Sequence, residues 1–118
     1  MRRKHARALL DMARKVADRS PCRFQVACIL CDHRGRVVAS GHNRFITERG
    51  DGRPTIHAED VALRRVMKPS YNLEAFIYRD GGKPIHPCPK CTDMLKSYGV
   101  QSVWHTMGDG EIERMVLA

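Results

Sequence analysis

This sequence has no long apolar run. No stretch approaches the roughly 20 residues that a membrane-crossing helix needs. The basic start Met1-Arg2-Arg3-Lys4 is not followed by the uninterrupted apolar segment of a secretory signal. There are no internal repeats and no low-complexity tracts, so neither a repeat array nor a compositional tail is expected. An even cysteine count is missing too. The cysteines number five, which suits a reducing compartment better than a disulfide framework. Together these absences point to a cytoplasmic protein with no membrane partner.

At 118 residues the chain has room for one domain, 1–118, with a modest core and no second module. A core of that size gains from a partner, so a homo-oligomer is expected. Hydrophobic content of 42% beside 29% charged residues is that of an ordinary soluble globule. Net charge is +8. Much of it is local: residues 1–20 hold seven Lys or Arg against Asp11 and Asp18. Attraction to the phosphates of a nucleotide or a nucleic acid and a merely solvated basic helix face are equally open readings.

Along the chain, residues 4–19 read as an amphipathic helix, with Ala6, Leu9, Leu10, Ala13, Val16 and Ala17 at helical spacing. Ser20-Pro21 closes it. Phe24 to Cys31 reads as a strand covered on both faces. After the turn Asp32-His33-Arg34-Gly35, Arg36 to Gly41 is the returning strand of a hairpin. His42 to Thr55 is a polar loop containing Gly50-Asp51-Gly52-Arg53-Pro54. A helix is expected from Thr55 or Ile56 to about Met67, with Val61, Ala62 and Val66 inward and Lys68-Pro69-Ser70 closing it. Ala75 to Tyr78 is a buried strand, Pro87 to Tyr98 a third helix capped by Gly99, and Val100 to His105 a fourth strand. Glu111 to Leu117 fits either a helix or, because Gly108-Asp109-Gly110 precedes it, a hairpin return. The order predicts an α/β fold with parallel neighbours in its second half and an antiparallel opening hairpin.

Chemistry concentrates in two motifs, His57-Ala58-Glu59 and Pro87-Cys88-Pro89-Lys90-Cys91. One imidazole and two thiols give His57, Cys88 and Cys91 as three metal ligands. Structural zinc usually takes four protein ligands, whereas catalytic zinc leaves one position for water and acidifies it. Glu59 is then the group that moves the proton. Both motifs are predicted in first helical turns, at the open end of an α/β sheet where ligands bind. A four-cysteine site pairing Cys88 and Cys91 with Cys28 and Cys31 is disfavoured. The pairs lie far apart in sequence, and Cys28 and Cys31 point to opposite faces of a strand. Packing accounts for those two thiols.

The two motifs resemble the cytidine/deoxycytidylate deaminase superfamily, whose H-x-E…P-C-x-x-C pattern is a general signature of zinc deaminases. The likeness runs over roughly residues 24–106 and includes Gly41-His42-Asn43-Arg44. It implies a cytidine deaminase-like fold, a three-layer α/β/α arrangement around a mixed five-stranded sheet. It implies zinc as cofactor, with Asn43 and the backbone of Ala58 holding sugar or base. It implies hydrolytic conversion of a cytosine nucleotide of the dCMP or CMP type to the uracil nucleotide, with release of ammonia. The short chain is similar to compact, phage-like members grouped with CMP/dCMP deaminases. It departs from the tRNA branch, reading Ile85-His86-Pro87-Cys88 where that branch has Leu-Glu-Pro-Cys. His86 either lines the pocket or is a plain loop residue. Arg44, Arg53 and Lys83 lie on loops expected to flank the pocket, and a phosphate-binding role and a solvated one both stay open for them. The alternative substrate is a cytosine or adenine in single-stranded DNA or tRNA, supported by the basic first helix and by Phe45 as a stacking platform. A deaminase fold kept only for binding would have no chemical need for Glu59.

Overall fold

The computed structural model describes residues 3–46, 55–66 and 72–117. In chain order the elements are α1 (Arg3–Ala17), β1 (Val26–Cys31), β2 (Val37–His42), β3 (Arg44–Phe45), β4 (Thr55–Ile56), α2 (Ala58–Arg64), β5 (Leu73–Arg79), α3 (Pro89–Ser97), β6 (Val100–Gly108) and β7 (Glu111–Val116). Five strands form one mixed sheet in the order β2-β1-β5-β6-β7. Only β5 and β6 run parallel, joined through α3. The neighbours β1–β2, β1–β5 and β6–β7 are antiparallel.

The sheet has a core on each face. Cys28 and Leu30 of β1 pack with Ala75, Ile77 and Val103 beneath Ala58, Ala62, Leu63 and Leu95 of α2 and α3. Ala27, Ile29 and Cys31 project to the other face and meet Leu9, Leu10 and Ala13 of α1. The period of two in the strand thus divides β1 between two layers, and Cys28 and Cys31 fall on opposite sides. Burial pushes both thiols up, Cys31 to about 12, as expected of cysteines used for packing.

The basic face of α1 lies behind the sheet, on the side away from α2 and α3. Part of its charge is engaged at home. Arg3 Nη1 donates to the Ile112 carbonyl at 2.9 Å and Arg7 Nη1 to the Gly110 carbonyl at 2.8 Å. Arg14 pairs with Asp11 at 3.1 Å. The helix therefore clasps the β6–β7 hairpin. The last segment is a strand: Asp109 and Gly110 both have positive φ, 53° and 76°, as a tight hairpin turn between right-twisted strands requires.

Two helix starts differ from the sequence expectation. Thr55 and Ile56 do not open a helix. They pair with Phe45 and Arg44 as a two-stranded ribbon, a tertiary pairing that local periodicity does not encode, and α2 begins at Ala58. Helix α3 begins at Pro89, not Pro87. Proline disfavours helical geometry in the residue before it, which keeps Cys88 extended, while Pro89 itself suits the first helical position. The other termini agree to within a few residues. The expected helix end near Met67, its closing Lys68-Pro69-Ser70, and the Gly50–Pro54 stretch with Arg53 lie outside the described residues. Among the described residues no helix is long and apolar enough to cross a membrane.

Gly41 sets how closely α2 approaches β2. A Cβ there would stand 2.7 Å from Val61 Cγ1 and 2.8 Å from the Ala62 backbone nitrogen. A side chain can rotate away, but helix backbone cannot. Gly41→Ala is expected to destabilise the fold by about 1–3 kcal/mol through overpacking, read as a lower urea midpoint. A loss below about 0.5 kcal/mol, the scale of ordinary surface changes, would mean that α2 shifts freely.

Candidate active site

His57 and Cys88 occupy equivalent places. Each is the extended residue that precedes a helix, His57 with φ −68° and ψ 151° before α2, Cys88 with φ −67° and ψ 163° before α3. Cys91 is in the first turn of α3, and its N–H donates to Cys88 Sγ at 3.4 Å. The sequence expectation put His57 and Cys88 inside first turns; both instead stand one residue outside. Because α2 and α3 pack side by side on one sheet face, their starts bring the three donors together. His57 Nδ1 is 3.3 Å from Cys91 Sγ and 3.7 Å from Cys88 Sγ, and all three donor atoms lie within 4.8 Å of one another.

These spacings suit a shared ion. Tetrahedral zinc with ordinary Zn–N and Zn–S bonds holds nitrogen and sulfur about 3.6 Å apart. Burial, and then the nearby Glu59 carboxylate, push the Cys91 thiol well up. A divalent cation inverts that local balance, stabilising thiolate. The residues present therefore fit zinc.

Glu59, in the first turn of α2, is 4% exposed. Burial raises its pKa, against the opposing influences of its own backbone N–H, His57 and Cys91. It stands outside the three-donor group but shares a cavity with two of its members. That cavity, about 190 Å³, is lined by His57, Cys88, Glu59 and Ala58, by the polar Asn43, Thr55 and His86, and by the apolar Phe24, Val26 and Ile85.

Asn43 lines this cavity while tying it together. Its Oδ1 accepts from Ser20 Oγ at 2.6 Å and from the Val26 N–H at 3.0 Å, and its Nδ2 donates to the Phe24 carbonyl at 2.6 Å. One amide thus joins the segment after α1 to the end of β2. His86 faces the cavity and meets His105, ring centroids 4.5 Å apart. His105 is fully buried, and that burial holds it below the usual imidazole range. Its Nε2 has no hydrogen-bond partner among the described residues.

Among the expected substrate residues, then, Asn43, Ala58 and His86 converge on the cavity. Arg44 does not: it is exposed on β3 and absent from the cavity wall. Lys83 is also exposed, and its carbonyl accepts from Thr106 Oγ1. Phe24, Val26, Thr55 and Ile85 were not foreseen. Strand and loop residues in the ordinary pattern give no local sign that they share a wall.

A family model describing the cytidine and deoxycytidylate deaminase zinc-binding region matches residues 3–107. The chain belongs to this deaminase family. No curated protein matches it. Among solved structures, cyanophage S-TIM5 dCMP deaminase in complex with dCMP and dUMP is similar at 24% identity, over 87% of this chain and 81% of that one, with a TM-score of 0.68. Cytidine deaminase from Burkholderia pseudomallei is similar at 21% identity, over 99% and 94%, with a TM-score of 0.71. That from Mycobacterium tuberculosis is similar at 21% identity, over 92% and 86%, with a TM-score of 0.64. At these identities the neighbours establish the fold, which is cytidine deaminase-like. Zinc is the metal of this deaminase family's matched region, and His57, Cys88 and Cys91 are a donor set that suits it.

Proposed function

We propose that the chain is a single zinc-dependent hydrolytic deaminase domain acting on a free cytosine nucleotide, dCMP or CMP, to give the uracil nucleotide and ammonia. The observation that carries this reading is Glu59: a buried carboxylate in the same cavity as His57 and Cys88 but outside the three-donor group. His57, Cys88 and Cys91 would hold zinc, which when bound supplies Lewis acidity to a water. The water oxygen bonds to the carbon bearing the exocyclic amine, the carbon–nitrogen bond breaks, and ammonia leaves. Glu59 takes the water's proton at a carboxylate oxygen and returns it to the departing nitrogen. Phe24, Val26 and Ile85 keep bulk water from the base, and the Ala58 backbone and Asn43 orient it.

The cyanophage neighbour, a dCMP deaminase with dCMP and dUMP, supports a nucleotide substrate by analogy. A nucleic-acid substrate draws less support than the composition suggested, because the basic face of α1 lies behind the sheet and part of it is engaged with the β6–β7 hairpin. The test is to incubate zinc-loaded protein with dCMP, CMP, deoxycytidine and a single-stranded oligonucleotide and to measure ammonia release. Faster loss of amine from dCMP or CMP is the expected result. Turnover of the oligonucleotide alone would replace this reading with the nucleic-acid one, and zinc binding without turnover would leave only a binding role.

A further inference from the structure

Arg79 ends β5 on the sheet face that α2 and α3 cover, two residues beyond Ile77 of that core. Its cross-strand partner is Val26, a wall of the cavity. Its guanidinium carbon stands 4.7 Å over the ring of Phe24, another wall residue and one that is 49% exposed. Arg23 places a second guanidinium 5.5 Å over the same ring. Two cations thus share one aromatic ring that is itself a wall of the cavity, although neither arginine lines that wall.

Among the described residues the Arg79 side chain has only a long ion pair, to Asp80. Its Nε is buried and has no hydrogen-bond partner among the described residues. The nearest carboxylate oxygen, Asp80 Oδ1, is 4.0 Å away, beyond hydrogen-bond range. That oxygen already accepts from the Gln25 N–H at 3.0 Å. A buried donor left unmatched is costly. A planar guanidinium fork is shaped for the paired oxygens of a carboxylate or phosphate.

We propose that Arg79, with Arg23 beside it and Phe24 bracing both, forms the subsite for the phosphate monoester of the substrate. This rests on the reading of the cavity as a cytosine-substrate site, and it assigns the preference for a nucleotide over a nucleoside to a residue that neither zinc motif contains. The phosphate binds at the rim and the base reaches inward toward Glu59.

One test does not depend on catalysis. In the zinc-loaded protein, the arginine Nε–H resonances are followed while 2-deoxyribose 5-phosphate or plain 2-deoxyribose is added, Arg79→Lys providing the assignment. The Arg79 resonance should move with the phosphorylated sugar and stay fixed with the other. No movement with either overturns the subsite, whatever the protein turns over. The second test is the ratio of kcat/KM for dCMP to that for deoxycytidine. Arg79→Ala should lower that ratio roughly 10- to 100-fold, the loss of a charge-assisted contact, and Arg79→Lys should lower it less. An unchanged ratio in both variants, with zinc content and circular dichroism intact, overturns the subsite and leaves the deaminase reading standing. Preference for a deoxycytidine-containing single strand over dCMP overturns the monoester assignment. If neither dCMP nor deoxycytidine is consumed, the deaminase reading fails, and the resonance titration alone decides the subsite.

Discussion

Glu59→Gln is expected to keep the zinc content of the parent and lose on the order of 10²–10⁴ in kcat, the usual contribution of a positioned proton-transfer group. Glutamine preserves the size of the side chain and one carbonyl oxygen, so the packing of a residue only 4% exposed is conserved. What it removes is basicity. The donors His57, Cys88 and Cys91 do not include Glu59, so metal retention is a real control. Elemental analysis and steady-state rates on the same sample make the comparison. A variant within tenfold of the parent would assign the proton transfer to some other group, and a variant that sheds its zinc would make Glu59 part of the metal's support.

Cys91→Ser should have the opposite pattern, with zinc and activity lost together. Cys91 is 2% exposed, its sulfur is 3.3 Å from His57 Nδ1, and its N–H caps onto Cys88 Sγ. Serine fits the space but offers a poor zinc ligand, since zinc sites favour thiolate and imidazole. The expected result is zinc content below about a tenth of the parent's. The parent's thermal midpoint should fall on adding a chelator, while the variant's should not respond, because a metal that binds only the folded state stabilises it by mass action. Cys31→Ala is the matched control, since Cys31 is equally buried but lies beneath α1 on the far face of the sheet. It should lower stability and leave zinc stoichiometry alone. Undiminished zinc in Cys91→Ser, or lost zinc in Cys31→Ala, would show that the donor set is wrong.

The grouping of one histidine and two cysteines that could hold a metal was legible because its parts are local. His57-Ala58-Glu59 and Cys88-Pro89-Lys90-Cys91 each carry their own spacing, and prolines and glycines mark the ends of the elements around them. The period of two placed Cys28 and Cys31 on opposite faces without any structure. Less was legible where partners come from elsewhere in the chain. Thr55 and Ile56 are a strand only because Phe45 and Arg44 lie beside them. The direction of the last segment was open because Ile112, Met115 and Val116 satisfy two periodicities. The Asp109-Gly110 turn settles it, and Arg3 and Arg7, more than a hundred residues away, hold the result. Arg79 and Phe24 were invisible as a pair for the same reason: a guanidinium over a ring is a fact of strand register, and Arg79 belongs to no motif.

Asn43 already uses both acceptor positions of its side-chain oxygen on Ser20 and Val26, and one of its two amide hydrogens on Phe24. Toward an incoming molecule it can therefore only give, through the hydrogen that remains. A sugar hydroxyl or ring nitrogen would be welcomed there through its lone pair, and a group with nothing but hydrogens to offer would be turned away.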